Sequence, residues 1–268
     1  MTVASQIDAQ WHVPAYEVRL ECPKTSDTAI VIPVINEGRR IQNLLTRMMS
    51  CGIADQADIV IVDGGSTDGS LETTMLDANR VRTLLEKTAP GRLSAQLRCA
   101  YAYCLKEGYR SIVTIDGNDK DDPEAISRFI AALDDGYDFV QASRFVRGGQ
   151  EENTPLSRSL AIRLIHAPLL SLASGFHWTD TTQGFRGYSA RLLLDPKVNI
   201  FRTDFADYEL LAYLSYRAPK LGYRCVELAT RRSYPSDGPV PTKIGGMRGN
   251  WKLMRTLVAA CLGKYNPK

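Results

Sequence analysis

The stretch SIVTIDGNDKDDPE, residues 111–124, decides how this chain is read. Ser111 to Ile115 form a short apolar run, β-branched at Ile112, Val113, Thr114 and Ile115, which is the composition of a buried strand. The run ends in a crowd of carboxylates, so Asp116 falls at the carboxyl end of the strand, where open α/β sheets receive ligands. Asp122 followed by Pro123 has the form of a helix N-cap with proline in the first helical position, a local role. Asp116, Asn118 and Asp119 have no such local role. Oxygen ligands gathered at a strand end suit a hard divalent cation that bridges the phosphates of a nucleotide.

Outward from this stretch, strand and helix periods alternate. Ala29 to Val34 is an apolar run, Ile41, Leu44, Leu45, Met48 and Met49 recur at helical spacing, and Asp58 to Val62 is a second strand. This is a βαβ unit, which calls for a parallel sheet. A helix from about Asp68, a strand near Val81 to Leu85 and a helix from Arg92 to Glu107, closed by Gly108, lead back to the strand ending at Asp116. Pro123 to Leu133 is helical and Tyr137 to Ala142 extended. After Ser143 the rhythm changes: helices are expected over Pro155 to Ala173 and Asp204 to Arg217, and extended segments over Gln183 to Tyr188 and Gly222 to Thr230. Tyr234 to Pro241 is a Pro/Gly-rich loop of the kind that closes over ligands. Residues 1–27 show no clear period and read as an extension. From Asn250, the residues Trp251, Leu253, Met254, Leu257, Val258, Cys261 and Leu262 form an apolar stripe, with Lys252, Arg255 and Lys264 around it. Such a stripe fits burial on the core or a membrane interface.

With 268 residues and 44% hydrophobic content, the chain can bury a full core. Its six cysteines lack CxxC pairing and read as small apolar residues in a reducing compartment. His12, His166 and His177 show no ligand spacing and read as structural. Met1 to Gln10 lacks the basic and apolar regions of a signal peptide. No apolar run reaches the ~18 residues that span a bilayer, because Arg163 and His166 interrupt the best candidate. The net charge of +3 hides an asymmetry: residues 186–268 hold 15 Lys and Arg against 6 Asp and Glu. A field of that sign suits a phosphate-bearing partner or an anionic membrane surface, although a solvated basic face has the same composition.

Three loops now stand at successive strand ends: IVIPVINEG (30–38), VDGGSTDGS (62–70) and DGNDKDDPE (116–124). Together with TAPGRLSAQLRCAYA (88–102), ASRFVRGG (142–149), DTTQGFRGY (180–188), VELATRR (226–232) and Thr242-Lys243, they resemble the inverting family 2 glycosyltransferases of GT-A fold. Within that family the match is to the polyprenyl-phosphate sugar transferase branch, the dolichyl-phosphate mannose synthase type. The resemblance implies an α/β catalytic domain over 28–244, with a mostly parallel, Rossmann-like sheet flanked by helices. It leaves an N-terminal extension over 1–27 and a C-terminal amphipathic helix and tail over 245–268.

Carried across, the resemblance puts Pro33, Asn36 and Glu37 in a nucleoside pocket, with Asp63 accepting from the base; Asp63 also has the form of a turn acid before two glycines. The same loop runs into Ser66 and Asp68, a good helix cap. Gly91 and Arg92 would start a helix whose positive end favours the diphosphate. Asp116 is the expected catalytic and metal residue, with Asn118 as second ligand to Mg2+ or Mn2+. The family's usual Asp-x-Asp-x-Gln is replaced here by Asp116, Asn118 and Lys120, with Asp119 one step off register. Lys120 could therefore stand in for the metal at the diphosphate. Arg144, Arg158, Arg232 and Lys243 are the candidates for gripping an acceptor phosphate.

The expected partners are a nucleotide-sugar donor, a polyprenyl (dolichyl or undecaprenyl type) phosphate and a peripheral membrane surface, with no nucleic acid. The expected place is cytoplasmic, at the membrane surface. There the 250–262 stripe would turn Lys252 and Arg255 to headgroups and Trp251 and Leu257 to acyl chains. Two other readings stand beside this one. In the first, the acceptor is a sugar hydroxyl in cell-surface polysaccharide assembly, with Asp207 or Glu209 as base. In the second, the chain binds sugar nucleotides without catalysis.

Overall fold

An eight-stranded sheet organises the chain in the computed structural model, which describes residues 11–235 and 246–267. Its strands are β1 (Tyr16–Glu21), β2 (Thr28–Val34), β3 (Asp58–Asp63), β4 (Val81–Lys87), β5 (Ser111–Thr114), β6 (Phe139–Ser143), β8 (Arg186–Ser189) and β9 (Cys225–Ala229), with β7 (Gln150–Glu152) and β10 (Arg231–Ser233) forming a separate parallel pair. The order is β1-β4-β3-β2-β5-β8-β6-β9. Strands β4, β3, β2 and β5 run parallel, β8 runs against both β5 and β6, and β9 runs with β6. The expected α/β class with a mostly parallel sheet is thus observed.

Strand alternation sends side chains to opposite faces, and both faces are covered. Ala29 and Val31 of β2, with Val60 and Val62 of β3, pack toward the helix Leu93–Lys106. Ile30, Ile32 and Val34, with Ile59 and Ile61, pack toward the helices Arg39–Ser50 and Ile126–Asp134. Two faces buried in this way explain why these strands read as continuous apolar runs.

Several expectations change in detail. Residues 16–21, read as part of an extension, pair antiparallel with β4 and belong to the sheet. Asp68 caps no helix: the helix there is Thr73–Ala78, while the Asp68 carboxylate accepts from Gly38 N–H at 2.8 Å and from Ser70. A tertiary donor has displaced the local one. Asp122 precedes a short 3-10 turn, Pro123–Ala125, without a side-chain cap bond. The helix expected over 204–217 is Glu209–Lys220. The helix expected over 155–173 is continuous from Leu156 to Ser174 but passes through a π turn at Ile162–His166. Cys22 is exposed, unlike buried Cys99 and Cys104, and all six cysteines are free.

Candidate active site

The chain runs from β2 outward to β3 and β4, then crosses back to β5 on the other side of β2. That reversal is a topological switch point, and Asp116 stands at it. On the β2–β3 side, loop 34–38 is stitched to loop 63–70. Asn36 N–H donates to Ser66 Oγ at 2.9 Å, and Thr67 N–H donates to Asn36 Oδ1 at 2.8 Å. Asp63 accepts Ser66 N–H through both oxygens at 3.0 Å and Ser66 Oγ at 2.6 Å, which is its turn role. Asp63 nevertheless edges a cavity of about 230 Å³ with Ser66, Gly69, Ser70 and Glu86. Glu37 is ion-paired to Arg40 at 2.7 Å, and Pro33 is buried inside β2.

Gly91 holds φ at +115°, and a Cβ there would strike Ala95, so glycine is required. The helix start beside it is less open to an anion than expected. Arg92 N–H already donates to the Ala206 carbonyl at 2.8 Å, and Ser94 N–H to the Asp207 carbonyl at 2.7 Å. Asp207 itself pairs with Lys252 and, at 3.9 Å, with Arg92, while Glu209 accepts Asp207 N–H at 2.7 Å.

The opposite side of the site is basic. Strand β10 is fastened to the 118–121 loop by Ser233 N–H donating to the Lys120 carbonyl at 2.8 Å. Arg232 then meets Asp121 with one nitrogen at 2.5 and 2.7 Å from the two carboxylate oxygens, and Asp116 Oδ2 at 3.4 Å. Burial alone would discharge Arg232, but Asp121 and Asp116 outweigh it and raise its pKa. Arg144, at the turn after β6, grips buried Asp180 through Nε at 2.7 Å and Nη2 at 3.2 Å. Its buried Nη1 has no hydrogen-bond partner among the described residues.

The phenol of Tyr234 gathers these groups. Lys120 Nζ lies 5.2 Å from its ring centre, Arg158 5.7 Å and Arg232 5.8 Å. Arg158 Nη1 donates to its oxygen at 3.2 Å. Burial would push the phenol up, yet Arg232, Arg158 and Arg144 together hold it below its ordinary value. Lys120, buried and facing Arg232, is pushed down to about 8. The structure thus brings together Asp116, Lys120, Arg144, Arg158 and Arg232; Lys243 lies outside the described residues. Tyr234, Asp121 and Asp180 were not picked out from the sequence. Their only signal is the company of arginine in RRSY and of the 180–188 segment.

Gly184 also belongs to the site. A Cβ there would collide with the Asp116 carboxylate, so the backbone after Gln183 closes directly onto that group. A divalent ion on Asp116 and Asn118 would meet a poor donor set. Asp119 turns away to Arg47 at 2.9 Å, Asp121 is taken by Arg232, and Asn118 Oδ1 accepts Lys120 N–H at 3.3 Å. Among the described residues no three of His, Cys, Asp and Glu are grouped to hold a metal. One carboxylate and one amide beside two cations do not fit a resident divalent ion.

The profile of glycosyl transferase family 2 matches residues 29–195. The chain belongs to this family. As a family 2 glycosyltransferase it is similar to the polyprenol monophosphomannose synthase of Mycolicibacterium smegmatis, 29% identical over 209 residues, which are 76% of each chain. It is also similar to the undecaprenyl-phosphate mannosyltransferase of Micrococcus luteus, 27% identical, covering 74% of this chain and 80% of that one. In fold, this family 2 chain resembles glucosyl-3-phosphoglycerate synthase from Mycobacterium tuberculosis. In complex with phosphoglyceric acid, that enzyme superposes with a TM-score of 0.61 at 14% identity, over 91% of this chain and 81% of that one. The same enzyme has been crystallised with Mn2+ and UDP and with Mg2+ and UDP.

Proposed function

We propose that this enzyme transfers a sugar from a nucleotide-sugar donor to a polyprenyl phosphate, with inversion. The observation that carries the reading is the cluster of Lys120, Arg144, Arg158 and Arg232 around Tyr234. Like charges this close to one another, largely out of water, need counter-charge, and Asp116, Asp121 and Asp180 supply less than the four cations ask for. An arriving phosphate balances the cluster, and the unpartnered Arg144 Nη1 offers it a donor.

A phosphate monoester is ionised near neutral pH, its second pKa being about 6, so it attacks without a general base. Its oxygen forms the bond to the anomeric carbon as the bond from that carbon to the diphosphate breaks, and the electron pair leaves with the nucleoside diphosphate. What the protein supplies is alignment and charge. The hydroxyl-acceptor reading asks more of Asp207 and Glu209, whose carboxylates are engaged by Lys252, Arg92 and a backbone N–H.

The lipid tail of such an acceptor would enter from a membrane surface. No described helix is long and apolar enough to cross a membrane. The helical run Leu156–Ser174 instead exposes Leu156, Leu160, Leu164, Ile165, Leu169 and Leu172, with Leu172 at 86%. The same run supplies Arg158 to Tyr234, so its first turn lies beside the site. The C-terminal helix Gly246–Cys261 packs against this run and adds exposed Trp251 and Val258, whereas Leu257, expected to face acyl chains, is 2% exposed and belongs to the core. We place the peripheral membrane contact on these two helices.

Incubation with GDP, UDP and dTDP sugars, each offered short polyprenyl phosphates and sugar hydroxyls in parallel, tests the acceptor. Transfer to the phosphate alone is expected. Transfer confined to hydroxyls overturns the reading, and absence of any turnover favours a binding module. Leu164→Glu with Leu172→Glu should release the protein from anionic vesicles while leaving transfer to a short, detergent-free acceptor intact.

A further inference from the structure

The donor reading above leaves open what neutralises the departing diphosphate, and the site answers with its own side chains. We propose that the buried ammonium of Lys120, backed by Arg232, is the counter-charge for the donor diphosphate, so that nucleotide binding and transfer proceed without a divalent ion. Lys120 stands in the loop that follows β5 at the switch point, two residues beyond Asn118. Its main chain is held from both sides, by Ser233 N–H on its carbonyl and by Asn118 Oδ1 on its own N–H. Its ammonium packs over the Tyr234 ring at 5.2 Å. A lysine so fixed requires no reorganisation when charge develops nearby, which is the requirement for stabilising a leaving group.

Charge balance supports the same assignment. Arg232 pairs with both Asp116 and Asp121, and Lys120 facing it brings the second positive charge, so two carboxylates stand against two cations before substrate arrives. A divalent ion would add two positive charges to a cluster that already has Arg144 and Arg158 beside it, at a cost the low local dielectric magnifies. A diphosphate adds negative charge to the same place, which the two fixed cations are there to meet. In the transfer step the bond from the anomeric carbon to the diphosphate oxygen breaks, and its electron pair stays on that oxygen. The charge that appears is met by the Lys120 N–H donors. No proton needs to move, because the diphosphate leaves as a stable anion.

The test is calorimetric binding of GDP, UDP and dTDP to the whole protein, in EDTA and again with Mn2+. At least one nucleotide is expected to bind in EDTA, with affinity changed less than about threefold by Mn2+. Lys120→Gln should weaken that diphosphate by about 10- to 100-fold, while the matching monophosphate, lacking the outer phosphate, changes less than about threefold. Lys120→Arg, which keeps the charge, should stay close to wild type and controls for folding. Wild-type binding that vanishes in EDTA and returns with Mn2+ overturns the proposal while sparing the donor reading. So does unaltered binding by a folded Lys120→Gln variant. Failure of all three nucleotides under both conditions overturns the donor reading itself.

Discussion

The two sides of the cleft satisfy their carboxylates by opposite means. On the β2–β3 side, Asp63 and Asp68 are held by backbone N–H groups and serine hydroxyls, neutral donors within a loop-to-loop seam. On the side built from β6, β8 and β10, Asp116, Asp121 and Asp180 are held by the guanidinium groups of Arg144 and Arg232. Neutral donors fix the shape of the β2–β3 seam but leave the negative charge of its carboxylates uncompensated, which disfavours a phosphate there. On the other side, Lys120, Arg144, Arg158 and Arg232 set four cations against three carboxylates, a surplus of positive charge fit for phosphate. The difference also predicts how each side breaks, because a buried charge that loses its partner costs more than a lost neutral hydrogen bond.

Arg232→Ala should do most damage. It strands Asp121 without its partner and frees Asp116, so a loss of about 3–5 kcal/mol in urea unfolding is expected, with transfer below detection. Gly184→Ala comes next, pressing a methyl group into the Asp116 carboxylate. It should cost about 1–3 kcal/mol but still lower transfer by about 100-fold, measured as initial rate on the folded variant. On the neutral side, Asp63→Ala removes bonds that, among the described residues, go to Ser66 alone, and it is expected to cost about 1–2 kcal/mol. If it destabilises as much as Arg232→Ala, the contrast between the two sides fails. Arg47→Ala, which breaks the part-exposed pairs to Asp119 and Glu124 outside the cleft, should cost below about 1 kcal/mol, and less still in high salt.

The finest test is a slope in pH. Burial pushes the Glu227 carboxyl up, despite its bonds from Asp180 N–H and Thr179, whereas Asp180 is likewise penalised by burial but is carried below its ordinary value by Arg144. The signs are opposite. The share of Glu227 in stability is full below its unfolded pKa and is lost as pH rises through its folded one. The share of Asp180 is full above its unfolded pKa and is lost as pH falls through its folded one. Glu227→Gln should therefore flatten the decline of the unfolding midpoint as pH rises above the ordinary glutamate range, and leave the acid limb unchanged.

Much of this architecture is written locally. Strands buried on both faces must be apolar throughout, so β2, β3 and β5 announce themselves, and turn chemistry then places Asn36, Asp63 and Asp116 at their carboxyl ends. Local rules also mislead where a distant donor competes. Asp68 has the form of a cap, yet Gly38 N–H, thirty residues earlier, takes its carboxylate. Asp207 has the form of a free base on a helix, yet Lys252 from the C-terminal helix reaches it.

The sequence by itself determined the α/β class, the succession along the chain of the strands that end in the acidic loops, and the basic bias of the last third, because each depends on periodicity or composition within a short window. Tertiary structure alone decided that Lys120, Arg144, Arg158 and Arg232 converge on Tyr234, and that Asp121 and Asp180 anchor two of them. Those residues are spread over five different segments, and no local pattern records which of many arginines will meet around one ring. The physical reason is that a buried charge chooses its partner by distance through the folded core, not by distance along the chain.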